Sequence, residues 1–277
     1  MTMNVIELLK AVVLGMTEGF TEWLPVSAAA HLMLMERILR PDVPEGAMPA
    51  FYAVLKLGAS LAVLFMYWPR LSIWSGSRKK QRAAFRLQVK IAAGTLPAAV
   101  PGLLLYEWTS EHLNGGYLIS LMLILFGAAF VIVERSRKYR RPETDLLRKI
   151  TPHTALYVGM FQVLGLLPGV SRTGAAILGC LLFGFSARTA AEFSVLLGIP
   201  LTAGAAIFTL IRTGMPVAPG TARFLAAGFL AAFFVSLSAV RFLVVRAKKR
   251  NFAVYGWYRI ALGAVFVIWT FLSALVS

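Results

Sequence analysis

The sequence reads Glu18-Gly19-Phe20-Thr21-Glu22-Trp23-Leu24-Pro25-Val26-Ser27 in the middle of one apolar segment and Pro168-Gly169-Val170-Ser171-Arg172-Thr173-Gly174 in the middle of another. The two segments cover residues 5–39 and 154–185, and neither half of either one is long enough to cross about 30 Å of hydrocarbon comfortably. A Pro or Pro-Gly break frees backbone groups, which a membrane tolerates only where protein or water satisfies them. Each break therefore predicts a re-entrant helical hairpin.

The rest of the chain is strongly apolar. Its 277 residues are 58% hydrophobic and 14% charged, with a mean hydropathy of +0.74, which exceeds what a soluble domain needs. Six further segments have the length and composition of membrane spans: residues 51–68, 89–106, 117–133, 189–211, 222–245 and 252–276. The sequence therefore predicts an all-α, polytopic membrane helical bundle, with residues 1–277 in a single membrane domain.

The distribution of charge predicts the orientation of these spans. The formal net charge is +16, but the basic residues cluster in short stretches, 78–82, 135–149 and 246–250, between apolar segments. This pattern is typical of cytoplasmic loops and indicates a lipid bilayer, not nucleic acid, as the partner. The loop 107–116 has acidic residues and no Lys or Arg, so we expect it outside. Both hairpins must then enter and leave on one side, which places the N- and C-termini outside.

The same layout predicts an inverted-topology repeat. Each half becomes one re-entrant hairpin plus three transmembrane helices, in pseudo-repeats 1–134 and 150–277 joined by a basic cytoplasmic loop, 135–149. An ungapped alignment of Gly15 with Gly159 also brings Ser27 onto Ser171, at the two breaks. Inverted repeats of this kind bring their broken tips together near the bilayer midplane, so we expect the site residues to come from both breaks.

The first break concentrates ionisable groups where they are costly. Glu18 and Glu22 are four residues apart, so a helix projects them from one face, where they could share a divalent cation or a proton. Ser27 and His31 have the same spacing, which suits an activated nucleophile or a phosphate contact beside an acid or base. The alternative interpretation is an internal hydrogen-bond network that holds the hairpin together.

The second break resembles an anion cradle. Ser171 and Thr173 supply hydroxyl donors, Gly174 allows close backbone approach at a half-helix N-terminus, and Arg172 adds a charged fork suited to phosphate. We also expect Gln162, which the ungapped alignment matches to Glu18, to bind substrate. The alternative for Arg172 is a salt bridge to Glu18 or Glu22, and both roles could operate at different stages.

Other charged residues in or near the spans are assigned structural roles. Lys56 and Arg259 are interpreted as residues near span ends whose charged groups extend to the membrane surface. Arg188 and Glu192 are four residues apart and are expected to form a structural ion pair.

Both breaks resemble motifs of the undecaprenyl-diphosphate phosphatase family, also known for bacitracin resistance, over nearly the whole chain. The matching stretches are Glu18-Gly-x-Thr-Glu22-Trp-Leu-Pro25-Val-Ser27 with His31, Pro168-Gly-x-Ser171-Arg172-Thr-Gly174, Gly94-Thr-x-Pro97-Ala, Ala191-Glu192-Phe and Trp257-Tyr258-Arg259. The resemblance implies a bacterial inner-membrane hydrolase that releases phosphate from the C55 lipid diphosphate at the outer face and recycles the lipid carrier for cell-wall synthesis. It also implies a divalent metal, Mg²⁺ or Ca²⁺, and a site lined by Glu18, Glu22, Ser27, His31, Ser171 and Arg172.

The chain departs from the family pattern at three hydroxyl positions. Ala28 and Ala29 follow Ser27 where the family has a second serine and a threonine, and Ala176 stands where it has another threonine. The nucleophile is therefore either Ser27 or His31, with His31 favoured as nucleophile or proton carrier. Two alternatives stay open: an inverted-repeat transporter or flippase of lipid phosphates or anions, and an inactive paralogue that binds the lipid. Homodimer formation is left open as well.

Overall fold

The computed structural model describes residues 4–44, 46–74, 76–113, 115–137, 147–215, 220–249 and 251–276. These residues form eleven α-helices and two short 3-10 turns. The all-α prediction is therefore confirmed. Residues 138–146, in the middle of the predicted basic loop, lie outside the described residues.

Six of the described helices are long and apolar enough to span a membrane. They are α3 (Ala47–Leu71), α4 (Arg78–Leu104), α6 (Gly116–Arg137), α9 (Ala187–Thr213), α10 (Thr221–Lys249) and α11 (Ala253–Val276). Each coincides with one of the six predicted spans to within two residues or extends beyond it, because amphipathic or basic residues continue several of the helices past the apolar stretch. The chain is a multi-pass membrane protein.

The other described helices are shorter. They are α1 (Val5–Thr21), α2 (Ala28–Leu39), α5 (Tyr106–His112), α7 (Pro152–Val163) and α8 (Arg172–Leu182), with 3-10 turns at Leu147–Lys149 and Leu164–Leu166. The helical pair α1 and α2 is interrupted at Pro25, and the pair α7 and α8 is interrupted around Gly169, whose φ is 93°. Both predicted breaks therefore interrupt helices at the expected residues.

Each short helical pair packs against a long helix from the other half of the sequence. The helix α1 lies along α10, and α7 lies along α4, while α3 packs on α9 and α6 on α11. Glycines permit the close contacts: a Cβ added at Gly15 would meet the carbonyl of Gly228, and one added at Gly159 would meet the carbonyl of Gly94. The two halves are thus interleaved, and the breaks are brought to the centre of the molecule.

The helix α8 lies in the interior of the protein. All residues from Thr173 to Leu181 are buried, so this helix is apolar on every side and has no face left for solvent or lipid. Trp23 and Phe130 pack in the same core and are also fully buried. The second break is therefore fixed by packing along the whole length of the helix that follows it.

Candidate functional site

The two breaks meet through an ion pair between Glu22 and Arg172. Glu22 follows the last residue of α1, and Arg172 is the first residue of α8. Arg172 Nη2 donates to Glu22 Oε1 at 3.0 Å, and the Thr202 hydroxyl of α9 donates to the same oxygen at 2.8 Å. The Thr173 hydroxyl donates to the Glu22 backbone carbonyl at 2.8 Å. The expectation that the two breaks converge is met, and the ion pair is one of the two roles expected for Arg172.

The Arg172 guanidinium has further contacts that fix its plane. Nη1 donates to the Ser194 carbonyl at 3.4 Å, and the group lies over the Trp23 ring, 5.7 Å from the ring centroid. Its Nε is buried and makes no hydrogen bond to the described residues. A buried donor without a partner is costly, and such a group commonly marks a place where a ligand or water binds.

A cavity of about 410 Å³ lies beside this ion pair. The polar residues Glu22, Ser27, Lys56, Gln162, Ser171 and Arg172 line part of its wall. Apolar residues of α4, α5 and α9, among them Leu103 and Phe208, line another part. The cavity therefore combines charged and hydroxyl groups with a hydrocarbon surface, as a site for an amphiphilic anion requires.

Ser27 has an unusual backbone conformation. Its φ is 75°, a value that residues other than Gly, Asn and Asp rarely adopt. It occupies the N-cap position of α2, but its hydroxyl does not cap the helix, so this oxygen is left for other contacts in the cavity. Strained residues persist where the surrounding structure holds them, and they cluster at functional sites.

His31 lies one turn beyond Ser27 and does not line the cavity. Its Nδ1 is 2.8 Å from the Ser27 backbone carbonyl, and its Nε2 is 2.6 Å from the Tyr258 hydroxyl of α11. The imidazole is also stacked on the Tyr258 ring, with 5.7 Å between centroids. Both ring nitrogens are thus engaged, and the imidazole bonds to the carbonyl of Ser27, not to its hydroxyl as the spacing had suggested.

The other residues of the second break join it to the first. Ser171 Oγ accepts from the Gly174 amide at 3.1 Å and donates to the Leu24 carbonyl at 3.3 Å. Gly174 is tightly packed, because an added Cβ would lie 3.4 Å from Pro25 and 3.2 Å from Phe130. Ser171 lines the cavity, whereas Thr173 and Gly174 lie behind its wall. Gln162 lines the cavity and donates to the Gly94 carbonyl at 2.8 Å.

Glu18 is fully buried one turn before Glu22 and does not line the cavity. Neither of its carboxylate oxygens has a hydrogen-bond partner among the described residues, although its charge interacts with those of Glu22, Lys56 and Arg172. Within the ranges that the structure describes, no three His, Cys, Asp or Glu side chains come together to hold a metal. Two carboxylates nevertheless fit Mg²⁺ or Ca²⁺, because Mg²⁺ commonly takes one or two carboxylates and completes its ligands with water and substrate phosphates.

Two cations predicted to lie near span ends lie instead in the interior. Lys56 lines the cavity. Arg259 of α11 is fully buried and donates to the carbonyls of Pro25 at 3.2 Å and Gly169 at 2.8 Å. A charged residue within an apolar span is itself a signal of function, and this signal could have identified both Lys56 and Arg259 as site residues.

The expected ion pair between Arg188 and Glu192 was wrong in the partner that it gave to Glu192. Glu192 forms its salt bridge with Arg70 of α3. The spacing of four residues along α9 suggested a local pair, but the close packing of α3 on α9 brings Arg70 within reach.

The fold and the cavity define a multi-pass membrane protein. Its polar site lies between two interrupted helical pairs and is lined by the cationic side chains of Lys56 and Arg172. The chain belongs to the bacitracin resistance protein BacA family, whose model matches residues 11–265. It is 38% identical to an undecaprenyl-diphosphatase of Enterococcus faecalis, over 98% of this chain and 99% of that protein. It is also 36% identical to an undecaprenyl-diphosphatase of Limosilactobacillus fermentum, over 97% of this chain and 99% of the relative.

Proposed function

We propose that the chain hydrolyses undecaprenyl diphosphate to undecaprenyl phosphate and inorganic phosphate in the bacterial inner membrane, which recycles the lipid carrier for cell-wall synthesis. The observation that carries this proposal is the Glu22–Arg172 ion pair at the wall of a cavity to which both breaks contribute. Relatives that align over nearly the whole chain are undecaprenyl-diphosphatases, which supports the choice of substrate. Removal of this lipid diphosphate also accounts for a role in bacitracin resistance.

The charges of the cavity suit a diphosphate. Phosphoryl transfer depends mainly on positioning and on stabilisation of the negative charge on the transferring group and the leaving oxygen. Arg172 and Lys56 supply positive charge, and the hydroxyls of Ser27 and Ser171 supply donors at the same wall. In this proposal the substrate takes over Arg172 donors, including the unpartnered Nε, while the ion pair to Glu22 keeps the guanidinium oriented.

Ser27 is the better placed of the two candidate nucleophiles, because its residue lines the cavity and His31 does not. Ser27 Oγ attacks the terminal phosphorus, the bond to the bridging oxygen breaks, and undecaprenyl phosphate leaves. The proton of the hydroxyl passes to water while Glu22 stays ionised in its pair with Arg172, and water then hydrolyses the phosphoserine. His31 acts indirectly, since its bond to the Ser27 carbonyl holds the strained backbone in place.

Glu18 and Glu22 would hold a divalent metal, Mg²⁺ or Ca²⁺. The unpartnered oxygens of Glu18 support this assignment, because a buried carboxylate needs a cation or a donor. When bound, the metal supplies positive charge that stabilises the phosphate oxygens. The residues Gln162, Thr173 and Gly174 complete the proposed binding site, Gln162 at the cavity wall and the other two by holding the second break against Glu22.

The topology we propose has two re-entrant hairpins, α1–α2 and α7–α8, in an inverted repeat of residues 1–134 and 150–277. Support comes from the reciprocal packing, in which α1 lies along α10 and α7 along α4. The cavity then opens to the outer side of the membrane, and both termini lie outside. A carrier and an inactive paralogue would share this architecture, so only an experiment can distinguish these two functions from that of an enzyme.

The deciding experiment uses the purified full-length protein in detergent and measures inorganic phosphate released from C55 and C15 diphosphates. We expect release by the wild type and a loss of about 100-fold or more in Arg172→Ala, because a charge-stabilising contact to the transferring group is removed. Arg241→Ala, which removes an exposed arginine of α10 that does not line the cavity, is the matched control and should retain turnover. Near-normal release by Arg172→Ala would refute the role of Arg172.

The two alternatives have their own outcomes. Substrate binding and transbilayer movement without phosphate release would establish a carrier. Binding without release or movement would establish an inactive paralogue. In that case Ala28→Ser and Ala29→Thr, which restore hydroxyls at two residues of the cavity wall, should create activity.

A further inference from the structure

Arg259 joins the backbones of the two breaks. Its guanidinium is fully buried, with Nη1 3.2 Å from the Pro25 carbonyl oxygen and Nη2 2.8 Å from the Gly169 carbonyl oxygen. Pro25 interrupts the first helical pair, and Gly169 interrupts the second. One side chain therefore satisfies a freed carbonyl at each break.

The chemistry of arginine suits this contact. Carbonyls freed by a helix break must find a donor within the protein when lipid surrounds it. A guanidinium presents its donors in a rigid planar fork, so two acceptors bound by Nη1 and Nη2 are held at a fixed separation. The Phe126 ring of α6 lies 5.8 Å from the guanidinium carbon and further restricts the plane of the group.

The acceptors are close in sequence to the residues that line the cavity. Ser27 lies two residues after Pro25, and Ser171 lies two residues after Gly169, with Arg172 next to it. Arg259 itself does not line the cavity. A change in the separation of the two carbonyls would therefore move the catalytic groups of one break relative to those of the other.

The adjacent residue of α11 strengthens the contact with the first break. The Tyr258 hydroxyl is 2.6 Å from His31 Nε2, and His31 Nδ1 is 2.8 Å from the Ser27 carbonyl. The Tyr258–Arg259 pair thus holds the backbone of the first break at Pro25 and, through His31, at Ser27. The helix α11 thereby supports the site from outside the cavity, in addition to the helices that line it.

We propose that Arg259 is a positioning residue that fixes the distance between the two breaks and so aligns Ser27 with Arg172. This inference rests on the proposed phosphatase function. It assigns Arg259 an effect on the rate of the chemical step and little effect on substrate binding, because the guanidinium touches backbone carbonyls outside the cavity.

The kinetic test compares Arg259→Lys and Arg259→Met with Arg241→Met, which changes an exposed arginine of α10. Phosphate release from C15 diphosphate is measured for the full-length protein and normalised to the folded fraction. We expect kcat to fall about 100-fold in Arg259→Met, as for a misplacement of about 1 Å, with KM within about threefold of the wild-type value. Arg259→Lys keeps the charge but not the planar fork, so its kcat should lie between those of the wild type and Arg259→Met. If Arg259→Met fails to fold, Arg259→Lys takes its place in the test.

A second readout does not require turnover. Ala29 is exposed and lines the cavity, and Cys180 is fully buried, so Ala29→Cys in a Cys180→Ala background gives one accessible thiol at the first break. Its rate of reaction with a small maleimide should change about threefold or more when Arg259→Lys is added, and should not change with Arg241→Met.

The outcomes are distinct. Wild-type kcat and thiol reactivity in folded Arg259→Lys and Arg259→Met would overturn the proposal. So would an activity loss that disappears on normalisation to the folded fraction, because Arg259 would then be needed for folding alone. If the wild type releases no phosphate, the proposed function fails, and the thiol reactivity alone decides whether Arg259 positions the first break.

Discussion

Glu22 and Arg172, 150 residues apart in the chain, form a salt bridge of 3.0 Å at the wall of the cavity. The carboxylate also accepts a hydrogen bond from Thr202, and the guanidinium also lies over Trp23. Breaking one partner of a buried pair is strongly destabilising, because the other charge is left uncompensated. This pair therefore links the assembly of the two halves to the chemistry of the site.

A substitution at Gly198 can displace the Arg172 guanidinium while Arg172 itself is kept. A Cβ added at Gly198 of α9 would lie 2.6 Å from Arg172 Nη2 and 2.7 Å from Nη1, and it would also collide with Trp23. Gly198→Ala should therefore displace the guanidinium from Glu22 and lower kcat/KM about tenfold or more, since small misplacements have large effects on catalysis.

Gly115→Ala is the control, because it adds the same methyl group at a residue that does not line the cavity and has no atom within 4 Å of the added group. Its kcat/KM should stay within about threefold of wild type. Phosphate release by both variants checks this, and equal values for the two would contradict the assignment of Arg172.

The nucleophile assignment predicts unequal effects of two substitutions in the first break. Ser27→Ala should lower turnover about 1,000-fold or more, because removal of an attacking group leaves only binding and charge stabilisation. His31→Ala removes the bond to the Ser27 carbonyl and should cost about tenfold, in the range of a lost buried hydrogen bond. Rapid quenching with labelled C15 diphosphate should trap phosphate on Ser27, and label retained in Ser27→Ala would place the nucleophile elsewhere.

Lys56 is predicted to contribute to binding of the diphosphate. Lys56→Gln should raise KM about tenfold, because a charged hydrogen bond of about 1.5 to 3 kcal/mol is lost, while Lys56→Arg should stay closer to wild type. Lys10→Gln, which removes a cation that is paired with Glu7 and does not line the cavity, serves as the control. A KM for Lys56→Gln equal to that of the control would show that Lys56 does not contact the substrate.

Removal of divalent metal should lower turnover. Chelator treatment followed by Mg²⁺ or Ca²⁺ should restore it, and each ion should raise the melting temperature of the protein, because a ligand that binds only the folded state stabilises it. Glu18→Gln should reduce both effects, whereas Glu36→Gln, whose carboxylate accepts from Tyr52 at 2.5 Å, should reduce neither. Full activity in chelator, with no thermal shift, would remove the metal from the proposal.

The sequence was sufficient to predict the helical class, the six spans and the two interruptions, because each depends on local composition. Long apolar stretches require helices in lipid, and Pro25 and Pro168 each remove a helix hydrogen bond in the middle of a segment whose halves are too short to span. The meeting of Glu22 with Arg172 was also predictable, since charges in apolar segments need partners and the repeat placed both breaks at the centre.

The contacts that depend on how the long helices pack could not be read from spacing. Arg259 was assigned to the membrane surface because it lies near a span end in the sequence, but α11 brings it to Pro25 and Gly169. The pairing of His31 with Tyr258 depends on the same helix. Arg259 is 234 positions from Pro25 and 90 from Gly169, and Tyr258 is 227 positions from His31, so no local pattern relates these residues.

The reciprocal packing of the short helices has a consequence for biosynthesis. Since α1 finds its main support on α10 and makes smaller contacts with α2 and α3, its principal neighbour is absent until α10, late in the chain, has been made. Until then its buried acidic residues must be shielded by water, by the insertion machinery or by transient contacts. A polypeptide that stops after α6 would lack this support, so separately expressed halves should become stable only when they are produced together.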